Sequence, residues 1–457
     1  MEQLVSLDRK KIYNDLWSLS WPVMAFMVFQ TTLELVDLYW VGRLGTPAIA
    51  ALSLSNSLFW MLFSFTELIT VSTVALTSRY RGARDFEGVK VIVRHSFWLA
   101  LLIALVIIVF IYGLGERFIS FFQVEEEIRH MALLYLKVTG IGFIFVYGAM
   151  SMGASLQGVG DTRTPMIILI ITNIINIILD PIMIFGLLGF PALGILGAAL
   201  ATLISRAIGF SVMLYILISG KITPSRLKVA NLLNMGLESC YFKRIFQIGL
   251  PAALQSSTRP ITGMIMMWIV ALFGTAAVAA FGIGLRILGL AFIMISGLMA
   301  GTSTMVGQSM GANLKNLTRE ITRKAMTIGI SIQATMAFLS FFGAPLIIKL
   351  FTGDVAVIEA GVSYLQIIAP GLLLLGPFTV IEAVFKGSGH TMPPMVSAMI
   401  ANWIIKIPCA YLLAMVIGTN GVWWAITISI VAELLFLLFW FRRGHWLYKE
   451  IRVTSSN

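Results

Sequence analysis

The stretch GVGDTRTPMIILIITNIINIILDPIMIFGLL, residues 158–188, decides how this chain is read. It opens on a turn with closely spaced glycines. From Pro165 to Leu187 it then runs through an apolar segment interrupted only by Thr172, Asn173, Asn176 and Asp180. A helix crossing the hydrocarbon of a bilayer needs about 20 such residues. Similar stretches precede it at roughly 16–41, 51–76, 92–113 and 131–156, and one follows at roughly 193–217. After a polar gap six more fall at roughly 245–272, 280–306, 325–350, 360–385, 392–416 and 420–441. The whole chain of 457 residues is 58% hydrophobic and 12% charged, with a mean hydropathy of +0.93. A soluble domain carries about 25% charged residues. It could not hide this much apolar surface from water. A cytosolic enzyme, a secreted disulfide scaffold and a disordered chain are therefore excluded. The fold class is all-α and polytopic, with twelve transmembrane helices and almost no mass left for a soluble catalytic domain.

The opening of the stretch recurs. GVGDTRTPM at 158–166 matches GSGHTMPPM at 387–395, an offset of 229. The same offset carries Pro22 to Pro251, Gly45 and Thr46 to Gly274 and Thr275, and Gly82–Ala83 to Gly311–Ala312. One offset held at four separate sites marks a duplication. Each half has six spans, so both halves share one orientation. Parallel repeats of this kind build transporters whose lobes rock about a central cavity. The expected organisation is a cytoplasmic N-terminal segment at 1–15, a lobe of helices 1–6 at 16–217, and a cytoplasmic linker at 218–244. A lobe of helices 7–12 follows at 245–441, with a cytoplasmic tail at 442–457.

Charge gives the orientation. With the N-terminus inside, 23 of the 32 Lys and Arg fall on the inner side, and only Arg43, Arg117, Arg129 and Lys349 on the outer. That asymmetry predicts an inner (plasma) membrane protein with both termini cytoplasmic. The net charge of +11 belongs to these loops, which face anionic lipid rather than nucleic acid. Cys240, read as a loop residue, and Cys409, inside a span, offer no disulfide. The four histidines, read as loop residues, have no metal-ligand spacing. No phosphate-binding G-x-x-x-x-G-K-[ST] loop occurs, so ATP-driven transport is unsupported. No nucleophile–base arrangement stands out, and no enzyme activity is expected. The N-terminus reads as a retained helix rather than a cleaved signal.

Six acids fall inside spans: Glu34, Asp37, Glu67, Asp180, Glu382 and Glu433. Buried carboxylates are costly in a bilayer and point to function. Asn176 lies one helical turn before Asp180, on the same face. Pro181 denies the helix one hydrogen bond and frees a carbonyl near the carboxylate. Carboxylate, amide oxygen and carbonyl are hard ligands suited to an alkali cation. Glu34 and Asp37 are likewise neighbours on one face of the first span, which Pro22 is placed to bend. Carboxylates gathered in low dielectric must take up a proton or a metal cation. The repeat acts as a control, because Asp37, Asn176 and Asp180 map onto Met266, Ile405 and Cys409. Scaffold residues recur in both halves and these do not, so the ion site belongs to the N-terminal half. In the other half, Glu382 has Arg259, Arg286 and Lys406 as candidate partners, with cationic substrate as the competing role.

These motifs resemble the multidrug and toxic compound extrusion (MATE) family along essentially the whole length. Four elements carry the resemblance: Pro22 and Asp37 followed by WVGRLG, the SRYRGARD loop, LQGVGDTRTP, and NIINIILDP. The resemblance implies a V-shaped pair of lobes and export of organic, often cationic and amphipathic compounds in exchange for sodium ions or protons. No further cofactor is expected, and the expected unit is a monomer. It implies that Asp37, Asn176, Asp180 and Thr202 bind the coupling cation, sodium if sodium-coupled. Gln30 and Tyr135 line the same chamber; the residues alone leave both open between that role and packing. The fourth span departs from some relatives, reading YGAMSMGAS where they carry asparagines, so details of a proton relay are not carried over. A flippase for a lipid-linked oligosaccharide or cell-wall precursor is the alternative. Arg206, Arg259, Arg286 and Lys406 keep it open, because a diphosphate headgroup calls for a cationic cavity.

Overall fold

The computed structural model describes residues 9–220, 227–234, 236 and 238–451, with side chains from Lys11 onward. Lys221, Arg226 and Arg452, counted above among the inner bases, lie outside the described residues. In the first half the helices are α1 Arg9–Gly42, α2 Thr46–Phe63, α3 Thr66–Gly82, α4 Phe86–Ser120, α5 Glu126–Ile141, α6 Phe143–Gly158, α7 Arg163–Phe185 and α8 Ile195–Ser219. In the second they are α9 Ser239–Ala271, α10 Thr275–Gly311, α11 Lys315–Phe342, α12 Ala344–Lys349, α13 Val355–Ser388, α14 Met392–Met399, α15 Ile407–Ile417 and α16 Thr419–Arg442. Among the described residues there is no strand.

Local chemistry explains the breaks. Between α2 and α3 the Ser64 and Thr66 hydroxyls donate to the Met61 and Phe63 carbonyls, both at 2.7 Å, and so compete with the helix ladder. α5 and α6 meet at Gly142 with a bend of 42°. The π turn Ile400–Lys406 joins α14 to α15 just ahead of Pro408. Pro408 has no N–H to donate, and its ring crowds the carbonyl one turn earlier. A widened turn relieves that conflict. Pro22 and Pro181, by contrast, lie inside unbroken helices.

Ten helical stretches among the described residues are long and apolar enough to cross a membrane, or eleven with the bent α5–α6 pair. The expectation was twelve. The missing one is the seventh, which corresponds to α9. Its middle carries the polar run Gln255–Ser256–Ser257–Thr258–Arg259, which lowers its hydropathy. The surface fits a membrane protein: Leu102, Leu105, Val106 and Val109 on one face of α4 are all more than half exposed. Two expectations are corrected. Cys240 lies in the first turn of α9 rather than in a loop. His95 and His130 lie inside α4 and α5, and His95 is fully buried.

The chain forms two compact units, one of Ala25–Gln247 and one running from Ile248 and including the start of the chain up to Met24. α1 is thus divided two residues after Pro22. The sequence reading placed all of this span in the N-terminal lobe. Its first turns pack instead on α10, where a Cβ on Gly297 would come within 2.5 Å of the Ser20 carbonyl oxygen. In the Ala25–Gln247 unit, α6 packs against α3, α4 and α8. In the other unit α13 is central and packs against α10, α11 and α16.

The duplication is visible in backbone detail. Asp85 N–H donates to Tyr80 O at 2.9 Å, and 229 residues later Leu314 N–H donates to Ser309 O at 2.9 Å. Asp161 N–H donates to Leu156 O at 2.9 Å, and His390 N–H to Phe385 O at 3.0 Å. The left-handed residues pair likewise: Arg84 (φ 61°) with Asn313 (φ 60°), and Gly160 (φ 96°) with Gly389 (φ 71°). Both halves therefore reuse the same turns between successive spans.

Candidate functional site

Within the Ala25–Gln247 unit, α1, α2, α5, α7 and α8 enclose a cavity of about 80 Å³. Its wall includes Gln30, Glu34, Asp37, Tyr135, Asn176 and Thr202, so residues from four helices far apart in sequence converge. Asp180 reaches it through Asp37, the two carboxyl groups standing within hydrogen-bonding range of one another. Asn176 donates its Nδ2 hydrogen to Asp180 Oδ1 at 3.3 Å, as their spacing on α7 predicts. Asp180 and Asn176 are almost completely buried.

Three buried oxygens here have no hydrogen-bond partner among the described residues: Asp37 Oδ1, Asn176 Oδ1 and Asp180 Oδ2. Buried acceptors are normally satisfied. Three in one place form an acceptor set for a small cation or a shared proton. The Thr202 hydroxyl donates to the Ala198 carbonyl at 3.0 Å and also meets the Tyr135 hydroxyl, which ties α8 to α5.

One pairing differs from the sequence reading. That reading made Glu34 and Asp37 the close carboxylates. Glu34 is exposed and hydrogen-bonded to Gln30, so the tight partner of Asp37 is Asp180 from a different span. A pair within one helix shows in sequence spacing; a pair across helices does not. The sequence reading gave Arg206 a role only in the flippase alternative and singled out neither Asn56 nor Asn173. All three line the cavity. Arg206 follows Thr202 by one turn, and Asn173 precedes Asn176 by three residues, so helical spacing carried a usable signal for both. The Arg206 guanidinium lies 4.7 Å from the Phe59 ring centroid and acts electrostatically on Asp37. On its other side lies a second space of about 150 Å³, lined mainly by aromatic and aliphatic residues such as Phe26, Phe63, Phe145 and Phe210.

Glu382 is not part of this cavity; it belongs to the other unit. Its carboxylate faces Lys386 Nζ at 3.0 Å and Arg259 Nη2 at 3.6 Å, with Gln255 also bonded to it. Nearby, Lys406 Nζ donates to Asn402 Oδ1 at 2.5 Å within the π turn, and Asn402 also meets Glu433. The second-half counterparts of Asp37, Asn176 and Asp180 are unlike them. Met266 is buried in an apolar cluster, and Cys409 packs against the same cluster.

A family model described as MatE matches residues 22–182 and again 251–412, two segments that start 229 residues apart. The chain is 28% identical over 448 residues to "Probable multidrug resistance protein NorM" of Thermotoga maritima, covering 95% of this chain and 93% of that one. It is 26% identical over 430 residues to "Multidrug export protein MepA" of Staphylococcus aureus, covering 94% and 93%. Among solved structures, "Crystal structure of MATE in complex with MaD3S" superposes with a TM-score of 0.88 at 26% identity, covering 98% of this chain and 99% of that one.

Proposed function

The chain belongs to the MatE family of membrane transporters, and we propose that it is a secondary active multidrug exporter coupled to a single cation site in its N-terminal half. Organic, mainly cationic and amphipathic compounds leave the cell as a proton or a sodium ion enters. The observation that carries this reading is the set of orphaned oxygens on Asp37 and Asn176, which line the cavity, and on Asp180, which is bonded to Asn176 beside it. With Glu34 exposed and bonded to Gln30, the Asp37 and Asp180 carboxylates and the Arg206 guanidinium together hold one net negative charge. One monovalent cation balances it. Either a proton shared between Asp37 and Asp180 or a sodium ion held by the three oxygens meets that requirement, with Thr202 and Tyr135 bracing the wall.

Coupling follows if the neutralised and charged sites favour different arrangements of the helices that hold them. A ligand shifts such an equilibrium only by its differential affinity for the two states. The carboxylates sit on α1 and α7, so neutralising them changes how strongly those two helices repel. The second half contributes no equivalent charge change in this scheme, because Glu382 is held between Lys386 and Arg259.

The test uses purified protein in liposomes preloaded with a fluorescent organic cation. Sodium and proton gradients are imposed separately. Dye movement driven by one gradient identifies the coupling ion. Movement with neither rejects the coupled-exporter reading. The second reading, flipping of a lipid-linked diphosphate, draws on Arg206 in one unit, or on Arg259, Arg286 and Lys406 in the other, as phosphate partners. A dedicated flippase should confer no drug resistance on a pump-deficient host, whereas the exporter should.

A further inference from the structure

A cavity several times larger than the ion site lies elsewhere in the same unit. It sits where the described linker residues 227–231 cross the end of α3 and the start of α4, and it encloses about 500 Å³. The linker wall is anchored. Val229 N–H donates to the Leu217 carbonyl at 2.9 Å, and Leu227 and Val229 are buried. The facing walls are apolar, from Phe86, Val89 and Val159, and the charged groups are nearly all basic.

Of the acids nearby, Glu87 and Asp85 are already engaged, and Glu238, close to His95, is not part of the groove wall. Glu87 pairs with Lys90 at 2.7 Å. Asp85, just before α4, accepts the Gly88 N–H at 2.8 Å as a helix cap. Arg81, Arg94 and Lys228 remain as a basic excess. Arg81 stacks on the Phe86 ring at 4.9 Å, and Arg94 Nε is buried with no hydrogen-bond partner among the described residues.

The repeat again supplies a control. At offset 229, the groove residues Arg81 and Phe86 correspond to Met310 and Lys315. In that half the chain covers the place itself. Trp446 and Leu447 are buried in one cluster with Met310 and Ile321, with Leu317 packed against it, and Lys315 rests on the Tyr448 ring at 3.9 Å. One half fills this position with its own aromatic tail. Among the described residues, the other leaves it open, apolar-walled and basic.

We propose that the open groove holds an anionic phospholipid, its phosphodiester between Arg81, Arg94 and Lys228 and its apolar part along Phe86, Val89 and Leu227. Basic pockets beside membrane helices bind anionic headgroups. Hydrocarbon walls favour a lipid over a free phosphate. The lipid would staple the linker to α3 and α4, ahead of the chain leading into α9. This inference does not depend on the transport reading.

The test is binding of phosphatidylglycerol, phosphatidylcholine and glycerol phosphate to the purified full-length protein in detergent, read by native mass spectrometry and by melting temperature. Phosphatidylglycerol should bind and raise the melting temperature by several degrees, and the other two should not. The triple variant R81Q/R94Q/K228Q should weaken phosphatidylglycerol binding at least tenfold. Ala230→Trp, which narrows the groove without changing charge, should do the same and covers the case in which the triple variant misfolds. Equal binding of phosphatidylcholine, equal binding of glycerol phosphate, or full retention of phosphatidylglycerol by folded variants would each overturn the proposal.

Discussion

Asp180→Asn is the most informative perturbation of the ion site. The side chain keeps its shape, and the oxygen of the introduced amide can still accept from Asn176. What changes is charge. Asp37 and Asp180 against Arg206 leave one net negative charge in the wild type; Asp37 against Arg206 alone leaves none. Apart from the exposed Glu34, the variant site therefore has no net charge for a cation to neutralise. One proton exchanged for one monovalent organic cation moves no net charge, so only the concentration gradients matter. Each tenfold proton ratio is worth about 1.4 kcal/mol and sustains at most about a tenfold dye ratio. An imposed difference of about two pH units should thus hold a dye ratio approaching 100 in wild-type liposomes, and a ratio near one in the variant. The same arithmetic applies to a hundredfold sodium ratio. Burying an amide costs less than burying a carboxylate, so the melting temperature should stay at or above the wild-type value. The assay is steady-state dye distribution across the vesicle membrane, with melting measured on the same preparation. A folded Asp180→Asn protein that still holds more than a tenfold dye ratio would refute the charge argument, and with it the single-site reading.

Arg206→Gln removes the internal base and leaves two carboxylates, so the cation dependence of transport should steepen from a Hill coefficient near one towards two, read by titrating the coupling ion. Glu382→Gln removes the carboxylate that both Lys386 and Arg259 face; breaking a buried ion pair on one side costs about 3–5 kcal/mol, which should appear as a large drop in melting temperature. Survival of Glu382→Gln at wild-type stability, with cationic dye transport lost, would restore Glu382 as a substrate residue. Gly158→Ala and Gly387→Ala, equivalent positions in the repeat, should both destabilise. A Cβ at Gly158 would collide with the Thr77 hydroxyl, and one at Gly387 with the Ser303 carbonyl oxygen. A side chain can shift more readily than a backbone, so Gly387→Ala should melt lower than Gly158→Ala, by an amount within the roughly 1–3 kcal/mol typical of overpacking.

Much of the fold was legible because membrane spans, duplicated turns and glycine spacing are local signals. Pro165 and Pro394, Gly160 and Gly389, and Gly82 and Gly311 mark the same bends in each half. The misreadings came where local rules were overridden. His95, in a basic stretch that reads as a loop, is buried in α4, where its Nε2 accepts the Glu238 N–H at 2.9 Å from the linker. The split of α1 after Met24 has no sequence mark beyond Pro22, because packing partners decide it. At the site, the Asn176–Asp180 bond was readable from a four-residue spacing. The meeting of Asp37 with Asp180 was not, since 143 residues of chain separate them and only tertiary packing joins the two helices.

Duplication followed by divergence explains why a single cation site is the economical reading. The two halves began with equivalent positions, and their turns still share one hydrogen-bond pattern. Charge is what separated them. Where the first half has Asp37, Asn176 and Asp180, the second has Met266, Ile405 and Cys409, so an ion finds no oxygen set there. The second half instead carries Glu382 and Glu433 among Arg259, Lys386 and Lys406. Two acids against three bases leave no carboxylate in excess. A cation entering that cluster meets the excess of positive charge, although Glu433 Oε1 and Gln255 Oε1 also have no hydrogen-bond partner among the described residues. In the first half it displaces nothing, because one oxygen on each of Asp37, Asn176 and Asp180 has no partner to give up. The asymmetry also reaches the groove over α3 and α4, left open where the other half is plugged by Trp446 and Leu447. Both departures from symmetry place a ligand-accepting space in the same half.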